Sequence, residues 1–203
     1  MATKHFLFQR FTGEGVDHKV TPGDTKGAQK WFKTQVGKIK DINTAYLMRS
    51  KGAKDNSVKR IFEPGDMFLF AYDPKTKEQM PYYDRYPLVV VLDVTKTGFL
   101  GLNMHYLPPL QRSILMSMLY QTLNNTEFDE TTRIMARYKQ LKAMSGHPYY
   151  KPCVKRYLNN KLTSSLINIH PAEWDMVVML PLERFFKQHK SVVWQDSRKM
   201  YNK

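Results

Sequence analysis

The chain has 203 residues and a mass of 23.9 kDa, and its 42% hydrophobic and 25% charged residues are typical of one soluble domain. Its 32 lysines and arginines outnumber 18 acidic residues, and the resulting net charge of +14 attracts the chain to polyanions. The single cysteine, Cys153, excludes an internal disulfide framework and a cysteine-based zinc site. We find neither an apolar run long enough to cross a bilayer nor a secretion signal, so we expect a reduced, cytosolic protein without a membrane partner.

The positive charge is concentrated towards both ends of the sequence. Residues 1–60 carry 13 basic and 5 acidic side chains, residues 61–108 carry 4 and 6, and residues 109–203 carry 15 and 7. The net charges of these blocks are therefore +8, −2 and +8. Two basic blocks around a near-neutral one predict a contact surface for a polyanion.

The first block predicts a basic helix followed by a basic arm. Thr21-Pro22-Gly23-Asp24 is typical of a helix start. At 100° per residue, the following segment places an apolar stripe opposite a stripe formed by Lys26, Lys30, Lys33 and Lys40. Residues 49–60 are polar and aperiodic, which indicates a loop or a disordered arm with the cations Arg49, Lys51, Lys54, Lys59 and Arg60. A lysine stripe is as typical of a solvent-exposed helix face as of a phosphate-binding one.

The near-neutral middle predicts strands. Residues 67–73, 87–95 and 99–107 are short apolar or aromatic runs, and the last two are joined by a hairpin turn. Residues 164–170 and 175–181 predict two more strands around a tight turn. Five short strands in this order favour a small, strongly bent sheet of the SH3-like barrel type, in which Gly98 and Gly101 mark bends.

Helical periodicity interrupts this predicted barrel. A helix over 109–124 has one apolar face, formed by Leu110, Ile114, Leu115, Met118, Leu119 and Leu123, and a second helix is predicted over 129–144. A third, short helix begins near Pro152 and carries Lys151, Lys155, Arg156 and Lys161.

The predicted fold class is therefore α+β, a small SH3-like β-barrel interrupted by a helical insertion, with a basic N-terminal helix and arm. Residues 1–60 form that helix and arm, residues 61–186 form the barrel core with the insertion at 109–161, and residues 187–203 form a basic tail.

The residue patterns of common enzymes are largely missing. The sequence has no glycine-rich loop ending in Gly-Lys-Ser/Thr, and its six histidines are scattered, so we interpret His105 and His170 as structural and Cys153 as a buried, structural cysteine. Asp66 and Asp73-Pro74-Lys75 superficially match a two-metal nuclease, but both acids flank one strand and Pro74 breaks it. We therefore expect no enzyme, no metal and no cofactor.

Three tyrosines leave two interpretations open. Tyr82, Tyr83 and Tyr86 lie between two predicted strands. Aromatic side chains at such a place stack on exposed bases at a frayed DNA end, or pack at the mouth of the barrel. Packing is the favoured interpretation.

Two parts of the sequence resemble the DNA end protector (head-completion) proteins of T4-like tailed bacteriophages. The first runs from YDPKTKEQMPYYDRYPLVVVLD through TGFLGLNMHYLPP, and the second pairs KPCVKRYL with PAEWDMVVMLPLERF. The resemblance covers about residues 66–186, whereas the first 60 residues and the tail match only loosely.

This resemblance implies a minor virion protein bound to the ends of the packaged linear double-stranded DNA. Such a protein shields the ends from a host RecBCD-type exonuclease after injection and associates with the head near the portal or neck. The resemblance supplies no catalytic residues, and the motif residues are mostly apolar, so the predicted DNA contacts are the thirteen cations named above. The alternatives are a structural neck or portal component and, with less support, a phage nuclease.

Overall fold

Short aromatic and β-branched runs form the strands of the structure, a computed structural model that describes residues 63–123, 139, 143, 150–169 and 173–201. The strands are β1 (Met67–Leu69), β2 (Tyr83–Asp84), β3 (Leu88–Thr95), β4 (Gly98–Asn103), β5 (Val154–Leu158), β6 (Ile167–Ile169) and β7 (Phe185–Phe186). The α-helices are α1 (Pro109–Leu123), α2 (Trp174–Val177) and α3 (Lys190–Tyr201), and 3-10 turns span Met104–Tyr106, Lys151–Cys153 and Asn159–Lys161.

The described strands form one antiparallel sheet and one small ribbon. The sheet has the order β5-β4-β3-β1-β6, and β2 pairs with β7 in the ribbon. The strands predicted within 67–73, 87–95, 99–107 and 164–170 are confirmed as β1, β3, β4 and β6, and the predicted hairpin turn joins β3 to β4.

Both faces of the sheet are buried. Side chains alternate along each strand, and each face of the sheet packs in its own apolar cluster. On β1, Met67 and Leu69 face the larger cluster, which packs against the helices and includes Leu115, Trp174 and Val193. Phe68, between them on β1, faces a second cluster on the other side of the sheet. That second cluster consists of Phe68, Phe70, Tyr72, Val89, Val91, Phe99, Tyr157 and Leu166.

The sheet is strongly bent around this second cluster. The Tyr157 ring, on edge strand β5, lies 5.3 Å from the Phe70 ring and 5.0 Å from the Tyr72 ring, which follow β1. Because β4 and β3 lie between β5 and β1, these contacts require curvature. However, among the described strands the edges β5 and β6 do not pair with each other, so the sheet is open and the predicted SH3-like barrel is not confirmed. The fold is a mixed α and β fold with a mostly antiparallel sheet.

Helix α1 confirms the helix predicted over 109–124, but its buried face differs from the prediction. Arg112, Leu115 and Met116 are buried, whereas Leu110 and Ile114 are 61% and 49% exposed. The helix is oriented by Arg112, whose Nε and Nη1 donate to the carbonyl oxygens of Leu107 and Val178 at 2.7 and 3.1 Å. These hydrogen bonds turn the face that contains Leu110 and Ile114 outwards.

Two other predictions are wrong for physical reasons. The short helix predicted near Pro152 is instead a 3-10 turn followed by β5. Residues 154–158 form this strand because they pair with β4. The strand at 175–181 is replaced by α2 and the turn after it, because a short run with buried apolar residues at Val177, Val178 and Leu180 has no periodicity that distinguishes strand from helix. The segment 187–203, predicted as a basic tail, contains α3, which docks through buried Val193.

Several predicted elements lie outside the described residues. They are the basic helix and arm within 1–60, and the helix over 129–144 apart from Lys139 and Ala143, which are helical and exposed. The domain boundaries at 60 and 186 remain predictions.

Candidate nucleic-acid surface

The predicted phosphate contacts fall into two groups. Nine of them lie outside the described residues: Lys26, Lys30, Lys33, Lys40, Arg49, Lys51, Lys54, Lys59 and Arg60. The other four lie on β5 or on the 3-10 turns beside it, and they are Lys151, Lys155, Arg156 and Lys161. The second group therefore lies at a sheet edge rather than on a helix face.

These four cations do not point in one direction. Lys155 and Arg156 are neighbours on a strand and therefore project to opposite faces. The Nζ atom of Lys155 lies 4.3 Å from the centroid of the Tyr106 ring, and burial lowers the pKa of this lysine. Its ammonium group is thus engaged in a cation–π contact inside the protein. Lys151 and Arg156 are exposed, and Lys161 is half-buried.

The three tyrosines have different surroundings. The Tyr82 ring packs at 6.1 Å from that of Tyr106 and 6.3 Å from that of Phe185, and burial raises its pKa. Tyr86 is half-buried against the larger core cluster. These two side chains therefore pack, as the favoured interpretation predicts.

Tyr83 has a different contact. Its ring stacks on that of Phe186, with centroids 5.3 Å apart and planes inclined by 8°. Phe186 is 48% exposed. We call this pair, Tyr83 and Phe186, the aromatic ledge.

The ledge is anchored to the core by the buried carboxylate of Asp84, the neighbour of Tyr83 on β2. Its Oδ2 lies 2.7 Å from Nδ1 of His105 and accepts from Nδ2 of Asn103 at 3.2 Å. Its Oδ1 accepts from the backbone nitrogens of Tyr86 and Arg184, at 3.2 and 3.3 Å. His105 is buried beside this carboxylate, which is the environment expected of a structural histidine, and His170 lies outside the described residues.

Lys187, the residue after β7, connects the ribbon to residues 77–80. Its Nζ atom donates to the carbonyl oxygens of Lys77, Glu78 and Met80 at 2.7, 2.9 and 3.1 Å. Its backbone φ is 70°, in the left-handed region that residues other than glycine seldom adopt. The three hydrogen bonds offset the cost of this conformation and connect the residue after β7 to residues 77–80.

A second polar group, buried beneath α1 and α3, joins Arg112 to Glu183. Nη2 of Arg112 lies 3.3 Å from Oε2 of Glu183, whose Oε1 accepts from Nζ of Lys190 at 2.9 Å. Burial opposes ionisation of Glu183, but the charges of Arg112 and Lys190 prevail and lower its pKa to about 2. This arrangement fixes α3 against the core, and Trp194 of α3 also donates to the carbonyl oxygen of His105 at 2.8 Å.

The residues considered for catalysis have structural surroundings. Cys153 is buried, and burial raises its pKa to about 12, so the thiol is protonated at neutral pH and is a poor nucleophile. Asp73 pairs with Lys77 at 3.0 Å and with Arg85 at 3.4 Å. Over residues 63–123, 150–169 and 173–201, no group of three or more acidic, histidine or cysteine side chains is placed to hold a metal ion. None of the helices described is long and apolar enough to span a membrane.

The family model described as the phage T4 terminal DNA protecting protein matches residues 24–203. The match includes α3 and most of the first basic block, so it extends well beyond the range 66–186 expected from the sequence. Neither a curated protein nor a solved structure matches the chain at a significant level.

Proposed function

Because the chain belongs to the family of the phage T4 terminal DNA protecting protein, we propose that it binds the ends of linear double-stranded DNA and shields them from a RecBCD-type exonuclease. The single observation that carries this proposal is the family match over residues 24–203. It implies DNA ends as the partner of this bacteriophage protein, whereas the exonuclease is part of the proposal.

The charge of the chain supports binding through phosphates. The net charge is +14, and both basic blocks carry +8. Phosphate contacts hold a duplex without reading its sequence, as a protein acting on genome ends requires. Among the four cations beside β5, exposed Lys151 and Arg156 are best placed for such contacts.

We further propose that the protein is a minor virion protein that completes the head. It would sit near the portal or neck, where the ends of the packaged genome lie, and would enter the host cytoplasm with the DNA. This placement rests on the resemblance of the sequence to head-completion proteins.

A protection assay tests the proposed function. Blunt linear DNA is incubated with the protein and then with a RecBCD-type exonuclease, and the remaining full-length DNA is measured over time. We expect the protein to slow digestion, and a restriction endonuclease that cuts in the middle of the same DNA to be unaffected. Digestion by the exonuclease at the same rate with and without the protein would contradict the proposal.

The same assay without exonuclease tests the nuclease alternative. Magnesium-dependent loss of linear DNA with the protein alone, abolished by Asp73→Ala, would favour a nuclease. The proposed function predicts intact DNA, because binding an end breaks no bond in it.

A further inference from the structure

The ribbon formed by β2 and β7 has one buried face and one outward face. Asp84 and Phe185 are opposite each other and face the protein, whereas Tyr83 and Phe186 are opposite each other and face outwards. Among the side chains that the structure describes, the other exposed large hydrophobic residues are aliphatic: Val94, Leu110, Ile114 and Met200. The aromatic ledge is therefore a distinct surface feature.

We propose that the aromatic ledge stacks on the terminal base pair of a linear duplex. This inference rests on the proposed function and adds the surface that recognises an end. One face of the Phe186 ring is covered by Tyr83 at a plane angle of 8°, and the Phe186 residue as a whole is 48% exposed. We assign the contact with the terminal base to the exposed part of this side chain, because aromatic rings stack on any base regardless of sequence.

The geometry of base stacking explains why an aromatic surface would bind a DNA end rather than the middle of a duplex. An internal base pair is covered on both faces by its neighbours, whereas a terminal base pair has one uncovered face. Phosphate contacts are the same at an end and in the middle of a duplex, so they give no preference for ends. An exposed aromatic surface supplies that preference.

The ledge is also held rigidly before binding. The backbone nitrogen of Arg85 donates to the carbonyl oxygen of Arg184 at 2.8 Å, and the Asp84 carboxylate accepts from the Arg184 nitrogen at 3.3 Å. A ribbon whose backbone is already fixed loses less entropy on binding. The stacking contact therefore costs little ordering of the protein.

The test compares open and closed ends. The probes are a short blunt duplex and a dumbbell of the same sequence, in which both ends are closed by hairpin loops. The variants are Phe186→Ala, Tyr83→Ala with Phe186→Ala, and the aromatic pair Tyr83→Phe with Phe186→Tyr. Met200→Ala, at another exposed apolar residue, is the control.

We expect the double alanine variant to bind the blunt duplex about 5- to 150-fold more weakly, the range for losing base stacking. Its affinity for the dumbbell should equal that of the natural protein, and the aromatic variant and Met200→Ala should keep the preference for open ends. If the double variant misfolds, Phe186→Ala alone decides, because this half-exposed side chain contributes little to the core.

Two results would overturn the inference while leaving the proposed function intact. In the first, the alanine variants keep the full preference for open ends, which would show that the ledge does not recognise the end. In the second, affinity for both probes falls equally, which would indicate a contact along the duplex. If the natural protein itself binds both probes equally, end binding fails together with the inference.

Discussion

Arg112 and Glu183 form a buried ion pair on which the stability of the fold depends. Arg112 is fully buried and donates to backbone carbonyls as well as to Glu183. Replacing Arg112 by methionine leaves the Glu183 carboxylate buried without its guanidinium partner. We expect a loss of about 3–5 kcal/mol in the free energy of unfolding, measured by urea denaturation.

A double-mutant cycle separates the pair from the other hydrogen bonds of Arg112. Arg112→Met combined with Glu183→Leu should be less destabilised than the sum of the two single variants, because it leaves no lone buried charge. Lys190→Met is the control and should cost about 1 kcal/mol or less, because its side chain is 37% exposed. Additive effects of the two single substitutions would contradict this account of the pair.

Glu183 also predicts how stability depends on pH. Its pKa is lowered from an ordinary 4.5 to about 2 in the folded protein, because the charges of Arg112 and Lys190 outweigh the effect of burial. A depressed folded pKa stabilises the protein above pH 4.5, and this contribution is lost as the pH falls through 4.5 towards 2. Urea midpoints measured across this window should fall steeply for the natural protein and less steeply for Glu183→Gln. Parallel curves would show that Glu183 does not titrate with unfolding.

At the scale of the elements, two glycines of β4 permit the close approach of neighbouring strands. A Cβ atom at Gly98 would collide with the carbonyl oxygen of Tyr157, and one at Gly101 would collide with the side chain of Val89. Gly101 lies opposite Val91, next to the register shift in β3. Backbone atoms move less easily than a side-chain methyl group, so the two sites differ in tolerance.

Substitution of each glycine by alanine tests this difference. We expect Gly101→Ala to lower the free energy of unfolding by about 1–3 kcal/mol, and Gly98→Ala to lower it by more. Thr97→Ala, in the adjacent turn, is the control and should change it by less than about 0.5 kcal/mol. Equal and small effects at both glycines would indicate that β5 is not held as closely to β4 as the structure has it.

Local patterns of sequence predict the elements that are built from local signals. The run Leu88–Thr95, the turn after it and the helix Pro109–Leu123 are examples, because each combines apolar residues of one period with clear turn residues at its ends. The short helix predicted near Pro152 is wrong because residues 154–158 carry too few apolar positions to fix a period, and pairing with β4 makes them a strand. The ribbon could not be predicted, because its two-residue strands pair across about a hundred residues of sequence.

At the scale of the whole molecule, both basic blocks carry a net charge of +8, so substitution has to decide between them, beginning with the lysine stripe predicted in the first block. Replacing Lys26, Lys30 and Lys33 by glutamate should weaken duplex binding and reduce the slope of its salt dependence by about 0.9 for each phosphate that is no longer neutralised. Gel shifts at stepped salt concentrations measure both effects. Lys139, Arg198 and Lys199 are exposed and are assigned no DNA contact, so their replacement by glutamate provides a control of equal charge change.

The two triple variants give a clear comparison. If the first binds as tightly as the natural protein, the contact surface shifts to residues 151–161 or the binding partner is a protein. If both variants bind more weakly by the same factor, net charge rather than a defined surface drives binding. A structural neck component without DNA function would show no salt-dependent binding in any form.

The amino-acid composition predicts the class of partner, a polyanion, but it does not predict which side chains are available to contact it. The excess of cations in both basic blocks points to a polyanion from the sequence alone. The sequence does not show that Lys155 is engaged with Tyr106, or that Phe186 joins Tyr83 on the surface, because both contacts depend on pairing between distant segments. An exposed phenylalanine has no local signal that separates it from a buried one.

Competition between a closed circular duplex and the same DNA after a single blunt cut tests the central claim most directly. The two DNAs have equal length, sequence and phosphate number when the circle is relaxed, and they differ only in the presence of two ends. We predict that labelled blunt duplex is displaced from the protein at a much lower concentration of the cut DNA than of the circle. Displacement by both DNAs at the same concentration would contradict the claim that this protein binds DNA ends.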